Sequence, residues 1–162
     1  LTLQNLILQL TQLRQHNTIV LRQLRTEAKD RHIAPVLNVL LSVSGVAFIT
    51  AMTLYTEIID MKRFPAENHL AAFIELVPSL QSSDDTIYAN NLTHRQNSFL
   101  RAMMIESAWT AVREDPAMTL KFKELSKRMN AQEAIIRIAR KLVRRIRHVW
   151  LNQENYVYAL VA

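Results

Sequence analysis

A chain of 162 residues with one glycine, Gly45, has few ways to turn tightly. Average usage of about 7% would supply roughly eleven. Sandwiches and barrels turn every 8–12 residues or so and rely on glycine at many of those turns. Rossmann and P-loop sites need several glycines in one loop. Both classes are excluded, and what remains is an all-α protein with short connections. Hydrophobic residues make up 49% and charged residues 21%, which is enough for a packed core. The length fits one domain, or one domain plus an arm.

Cysteine is absent, so there is no disulfide framework, thiolate zinc site or cysteine nucleophile. That fits an intracellular protein. The longest apolar runs, such as Val46–Met52, break well before 18 residues, and no membrane span is expected. The sequence starts at Leu1 with no signal-peptide pattern, which points to a piece of something longer or an engineered chain. Charge is unevenly spread. Residues 121–148 hold ten basic and two acidic side chains, more than the whole net charge of +6. A polyanion partner is one reading and a solvated helix surface the other.

The first helix has a heptad. Leu3, Leu10, Asn17 and Leu24 take the a positions, and Leu6, Leu13 and Val20 the d positions. This is a coiled-coil seam, and a single buried Asn at a fixes register and strand number. An amphipathic helix packed on its own domain is the alternative. The expected organisation is a coiled-coil-like arm over 1–33, pairing into a homo-oligomer through residues 3–24, and a helical domain over 34–162. In that domain the pattern predicts an element over Val36–Val43 and helices near Ile49–Ile59 and Ala66–Ile74. A polar loop is expected over 79–93, then a helix from Asn97 to Val112 capped by Thr93. Asp115-Pro116 is a break, followed by a helix through Met129 and another from Ala131 to Trp150. The tail 152–162 reads as helical.

Ser44-Gly45-Val46-Ala47 between two helical segments resembles the turn of a helix-hairpin-helix unit, in which a glycine turn lets backbone N–H groups approach a DNA phosphate. In the long C-terminal helix, residues 135, 138, 139, 142, 146 and 149 make one apolar stripe. Arg137, Arg140, Lys141, Arg144, Arg147 and His148 cover the other side, a face suited to a phosphate backbone. A solvated face or a helix on an acidic membrane would read the same way. No metal set emerges. Glu57 and Asp60 could share a cation but read better as capping or solvated charge, and the five histidines show no ligand spacing.

Several stretches, in order, resemble one known family. Leu41-Ser42-Val43-Ser44-Gly45-Val46, Thr50-Ala51-Met52-Thr53-Leu54, Glu57-Ile58-Ile59-Asp60 and Arg63-Phe64 are similar to "S-V-P-G-I-G … T-A-x-x-L … E-I-G-D … R-F". Leu70–Ser79 resembles "L-A-A-Y-x-G-L-V-P-S", and Ser82-Ser83-Asp84 sits at "S-S-G". Leu92–Arg101 resembles "I-T-x-x-G-N-x-x-L-R", and Ala139-Arg140-Lys141-Leu142 matches "A-R-K-L". These mark the C-terminal domain of the IS-one-ten group of insertion-sequence transposases, which includes bridge-RNA-guided recombinases and related invertases. The resemblance covers about residues 40–150.

It implies DNA transposition or site-specific recombination by a composite active site in a multimer. A RuvC-like N-terminal domain with four acidic residues would bind magnesium, and the helical domain would bring a catalytic serine. Ser83 stands at the nucleophile position, with Ser82 second. Gly45, Arg137, Arg140, Lys141, Arg144 and Arg147 would hold DNA or a guide RNA. This chain holds no cofactor of its own on that reading and is expected to be inert alone, in a bacterial or archaeal cytoplasm at the nucleoid. A non-catalytic helical oligomer or nucleic-acid-binding module, decayed or designed, is the alternative. Ala47, Ile59, Glu75, Asp84, Gln96 and one of Asn90 or Asn91 stand where the family has glycine. A β-branched residue such as Ile59 in a left-handed conformation would cost about 1–2 kcal/mol.

Overall fold

The computed structural model describes residues 2–76, 79–83, 86–90 and 97–158, the two strands by their backbone alone. The fold is all-α with one small hairpin. Its helices are α1 (Leu3–Glu27), α2 (Ala34–Leu41), α3 (Phe48–Ile58), α4 (Glu67–Phe73), α5 (Ser98–Glu114), α6 (Pro116–Ser126) and α7 (Ala131–Asn152). A 3-10 turn at Met61–Arg63 joins α3 to α4. Two compact units divide the chain at Pro35/Val36.

In the first unit α1 fully buries none of its residues, and the heptad leucines other than the half-buried Leu24 stand open, Leu3 at 72% and Leu13 at 67%. The helix ends in a turn where Asp30 accepts the His32 N–H at 2.7 Å.

The second unit is built around α7, which packs on α4, α5, α6 and the 3-10 turn. Its apolar stripe is buried as the periodicity requires: Ile135, Ile138, Ala139, Leu142, Ile146 and Val149, joined by Ala134, Val143 and Trp150. Asn130 caps it, accepting the Glu133 N–H at 2.8 Å, while the Glu133 carboxylate takes the Asn130 amide at 3.0 Å. The first bond satisfies a backbone donor that a bare helix start would leave orphaned, and the second, from the Asn130 side-chain Nδ2, holds the cap in place. Pro116 opens α6 with Asp115 as its cap. That helix stops at Ser126, three residues short of the expected Met129.

Three expectations are corrected. Residues 79–93 are not a continuous loop. Ser79–Ser83 and Thr86–Asn90 pair antiparallel, with Ser83 opposite Thr86 and Ser79 opposite Asn90. The β-branched and aromatic Thr86-Ile87-Tyr88 run suits a strand, and the polar residues around it masked that signal. The cap of α5 is Asn97, whose side chain accepts the Leu100 N–H at 3.1 Å; Thr93, Asp84, Asn91 and Gln96 lie outside the described residues. The tail is not helical through residue 158. Gln153 turns left-handed at φ 53°, ψ 39° and donates its amide to the Trp150 carbonyl at 2.6 Å. No glycine or proline announces that stop.

Two of the positions where the family has glycine keep a glycine-like backbone. Glu75 has φ 59°; its N–H bonds the Ala72 carbonyl at 3.0 Å and Leu76 N–H the Ala71 carbonyl at 2.8 Å. These are the two bonds of a Schellman cap, which favours glycine at that residue. Ile59 has φ 61°, ψ −59°, and Asp60 N–H bonds the Ile58 carbonyl across it at 2.7 Å. This is a strained γ-turn. Ala47 is extended at φ −85°, ψ 170° and needs no glycine. Ile59 is 69% exposed, so its side chain stabilises little by burial. Ile59→Gly is expected to raise stability by about 1 kcal/mol, strain relief exceeding the added unfolded-state entropy. Urea denaturation checks this, and a loss of stability would place the strain elsewhere.

Candidate nucleic-acid interface

The polar side of α7 sorts its cations by partner. Arg147 donates through Nε and Nη2 to the Phe64 carbonyl at 3.1 and 3.0 Å, and through Nη2 to the Pro65 carbonyl at 2.8 Å. It ties the segment ahead of α4 to α7. Arg144 pairs with Glu67 at 3.0 Å, and Arg140 reaches Asn68 at 3.4 Å. Arg137 and Lys141 are exposed and form no ion pair or hydrogen bond with a described residue. Lys141 also sits in a crowd. Partial burial, then repulsion from Arg145, Lys121 and Arg144, holds its ammonium below the usual lysine value. Lys121, on α6, is paired with Glu124 at 2.8 Å. On the α6–α7 face Lys121, Arg144 and Arg145 thus each have a carboxylate, and Lys141 is the member of that group without one.

Arg145 lies between that face and the interior. Its guanidinium meets the Asp115 carboxylate and stacks 4.6 Å from the Tyr156 ring centroid. Asp115, 1% exposed, also accepts the Tyr156 hydroxyl at 2.9 Å and the Ala117 and Met118 N–H groups at 2.8 and 3.2 Å. Sequence reading treated Asp115 as a helix break and missed both Arg145 and Tyr156 as its partners. The Asp-Pro pair signals a cap, but nothing local signals a partner thirty or forty residues on.

The turn between α2 and α3 carries Gly45 at φ +83°. A Cβ there would overlap the Ser107 carbonyl oxygen and stand 3.0 Å from the Ala111 nitrogen, both on α5. The glycine is what lets this turn seat on α5. The C-terminal tail reaches the same turn: Tyr156 N–H donates to Ser42 Oγ at 2.7 Å, and Ser44 Oγ donates to the Tyr158 hydroxyl at 2.9 Å.

Ser82 and Ser83 end the first strand, opposite Ile87 and Thr86. The ends flanking this segment meet at Asn97. Its N–H donates to Glu75 Oε1 at 3.2 Å and its side-chain amide to Glu57 Oε2 at 3.0 Å. Glu57 and Asp60 are thus occupied separately, for Asp60 caps the 3-10 turn by accepting Lys62 N–H at 2.9 Å. Among the described residues no group of three His, Asp or Glu side chains could hold a metal ion. Likewise, none of their helices is long and apolar enough to cross a membrane.

The profile of the Transposase IS116/IS110/IS902 family matches residues 37–123, from α2 into α6 and over more than half of the chain. The chain belongs to this transposase family. It is 30% identical over 119 residues to the transposase for insertion sequence element IS1111A of Coxiella burnetii, covering 71% of this chain and 33% of that protein. It is 29% identical over 110 residues to the insertion element IS110 uncharacterized 43.6 kDa protein of Streptomyces coelicolor, covering 67% of this chain and 27% of that protein. The transposase-family chain thus spans a third or less of the length of these relatives. No solved structure matches it. The matched region holds the Gly45 turn, the γ-turn at Ile59, the Glu75 cap and the strand with Ser83, whereas the cations of α7 lie beyond it.

Proposed function

We propose that this chain is the nucleic-acid-binding, serine-bearing part of an insertion-sequence transposase and acts in DNA transposition or site-specific recombination. Family membership supports the transposase reading. The observation that carries the nucleic-acid part is the exposed pair Arg137 and Lys141 on α7, neither with an ion pair to a described residue, Lys141 being crowded by Lys121, Arg144 and Arg145. A polyanion relieves such crowding and releases its own counterions on binding. The ligand is duplex DNA, with a guide RNA as a further nucleic-acid partner.

Ser83 is the nucleophile in this reading, with Ser82 second, and its hydroxyl needs activation by a base or a metal centre. The acidic metal-binding set belongs to a separate N-terminal domain. The exposed leucines of α1 supply the seam of a homo-oligomer, with Asn17 fixing its register. The Gly45 turn offers backbone N–H groups beside the start of α3 to a phosphate.

Fluorescence anisotropy with duplex DNA and structured RNA at several salt concentrations tests the reading. Tight, salt-sensitive binding is expected. Arg137→Ala with Lys141→Ala should weaken duplex binding and shrink the log–log salt slope by about 1.8, near 0.9 per phosphate contact. Folding should be unchanged, because neither side chain has a described partner. An unchanged slope would move the contact surface away from α7. No binding even at low salt would sink the nucleic-acid reading and leave a helical oligomer.

A further inference from the structure

We propose that Asn97 is a positioning residue for the serine-bearing segment, gripping one carboxylate on each of two neighbouring elements so that both ends of that segment are held at one point. The inference rests on the reading of Ser83 given above.

Each polar atom of Asn97 has its own partner. The backbone N–H donates to Glu75 Oε1 at 3.2 Å, and the side-chain Nδ2 donates to Glu57 Oε2 at 3.0 Å. Its Oδ1 accepts Leu100 N–H at 3.1 Å, and its carbonyl accepts Arg101 N–H at 3.0 Å. The last two bonds start α5. The first two reach outside it, to the residue that ends α4 and to the last turn of α3.

Glu75 is a costly way to end α4. Its backbone is left-handed at φ 59°, and its side chain is 2% exposed. Glycine would close the same Schellman cap without backbone strain or a buried charge. The carboxylate makes sense by what it holds: Oε1 takes the Asn97 N–H, and Oε2 lies 3.4 Å from the Arg101 guanidinium, on the next turn of α5. Glu75 stands four residues before the first strand and Asn97 seven after the second. Their bond ties the two ends of the segment carrying Ser82 and Ser83. Closing a loop of that length costs conformational entropy, which a charge-assisted hydrogen bond offsets. Glu57 then fixes the tied ends to α3.

The competing account is that Asn97 is a helix cap and nothing more. Asp and Ser cap about as well as Asn. Asn97→Asp keeps the cap but turns the donor facing Glu57 into an acceptor, and Asn97→Ser keeps the cap and removes the donor. The readout is amide hydrogen exchange over residues 79–83 and 86–90, taken relative to the Leu142 amide of α7 so that a global change cancels. Both variants keep the backbone bond to Glu75 and lose only the solvent-exposed bond that fixes the tied ends to α3, so strand protection should fall about threefold. In the Asn97→Asp background, Glu57→Gln supplies a donor where the acceptor was and should restore most of that protection. Wild-type protection in both single variants would leave Asn97 a cap only, and a loss that Glu57→Gln does not restore would overturn the grip on Glu57. If the Asp variant does not fold, the uncharged Ser variant decides between threefold loss and none. The serine reading fails separately: Ser83→Ala that leaves covalent DNA adduct formation intact in the complete transposase would sink it without touching the exchange result.

Discussion

Asp115→Ala is expected to destabilise the chain by about 3–5 kcal/mol, as breaking a buried ion pair does. Asp115 is 1% exposed and serves three elements at once. Its Oδ1 caps α6 through Ala117 and Met118, and its Oδ2 receives Arg145 of α7 and the Tyr156 hydroxyl of the tail. Alanine would leave the Arg145 side chain, 15% exposed, without its anion and α6 without its cap. Asp115→Asn keeps the size and an acceptor for the cap, so it should cost less. The pH dependence carries the same signature. Burial works against ionisation of Asp115, but the Tyr156 hydrogen bond, the hydrogen bond and charge of Arg145 and the Met118 N–H outweigh it, and its carboxyl is held below the ordinary value. A depressed carboxyl contributes stability above the unfolded-state pKa of about 3.9, and that contribution is lost as pH falls through the lower folded value. Denaturation midpoints taken from pH 6 down to pH 2 should show this acid limb in the wild type and a flatter one in Asp115→Asn. Equal limbs would mean that other carboxylates carry the acid transition. On the alkaline side, burial and then the bond to Asp115 push the Tyr156 phenol up to about 12. Its contribution is complete below the ordinary tyrosine value and is lost as pH rises through the folded one.

Gly45→Ala is the second large effect. At φ +83° an alanine is strained by about 1–2 kcal/mol. Its Cβ would also meet the Ser107 carbonyl, which is backbone inside α5 and cannot swing away. Overpacking of this kind adds about 1–3 kcal/mol, for a total near 2–5 kcal/mol. Guanidinium denaturation measures it, with DNA affinity taken at a temperature where the variant remains folded. A loss under about 0.5 kcal/mol would show that the turn lifts off α5 without cost. Affinity that falls while the protein stays folded would favour a phosphate contact at this turn over a purely packing role.

Much of this architecture was legible in the residues. A lone glycine and helical periodicity determine an all-α chain. The 135–149 stripe determines which face of α7 is buried, because the 3.6-residue repeat is a property of the helix itself. Pro116 after Asp115 determines where α6 starts, because proline fits the first turn and an aspartate caps it. Of the family glycine positions noted in the sequence, Ile59 and Glu75 keep a positive φ, whereas Ala47 is extended.

Tertiary structure decided the rest. The six cations of α7 look alike in sequence, yet Arg147 goes to two backbone carbonyls, Arg145 to a buried aspartate, and Arg137 and Lys141 find no described partner. The tail leaves the helix at Gln153 without a breaker, and its tyrosines bond Ser42, Ser44 and Asp115, groups far away along the chain. Two glutamates forty and twenty-two residues before Asn97 become its partners only when α3, α4 and α5 meet. Periodicity and capping are set by neighbours within one or two turns and can be read along the chain. The partner of a charge is set by whichever distant group packing brings within about 3 Å, and no local pattern records it.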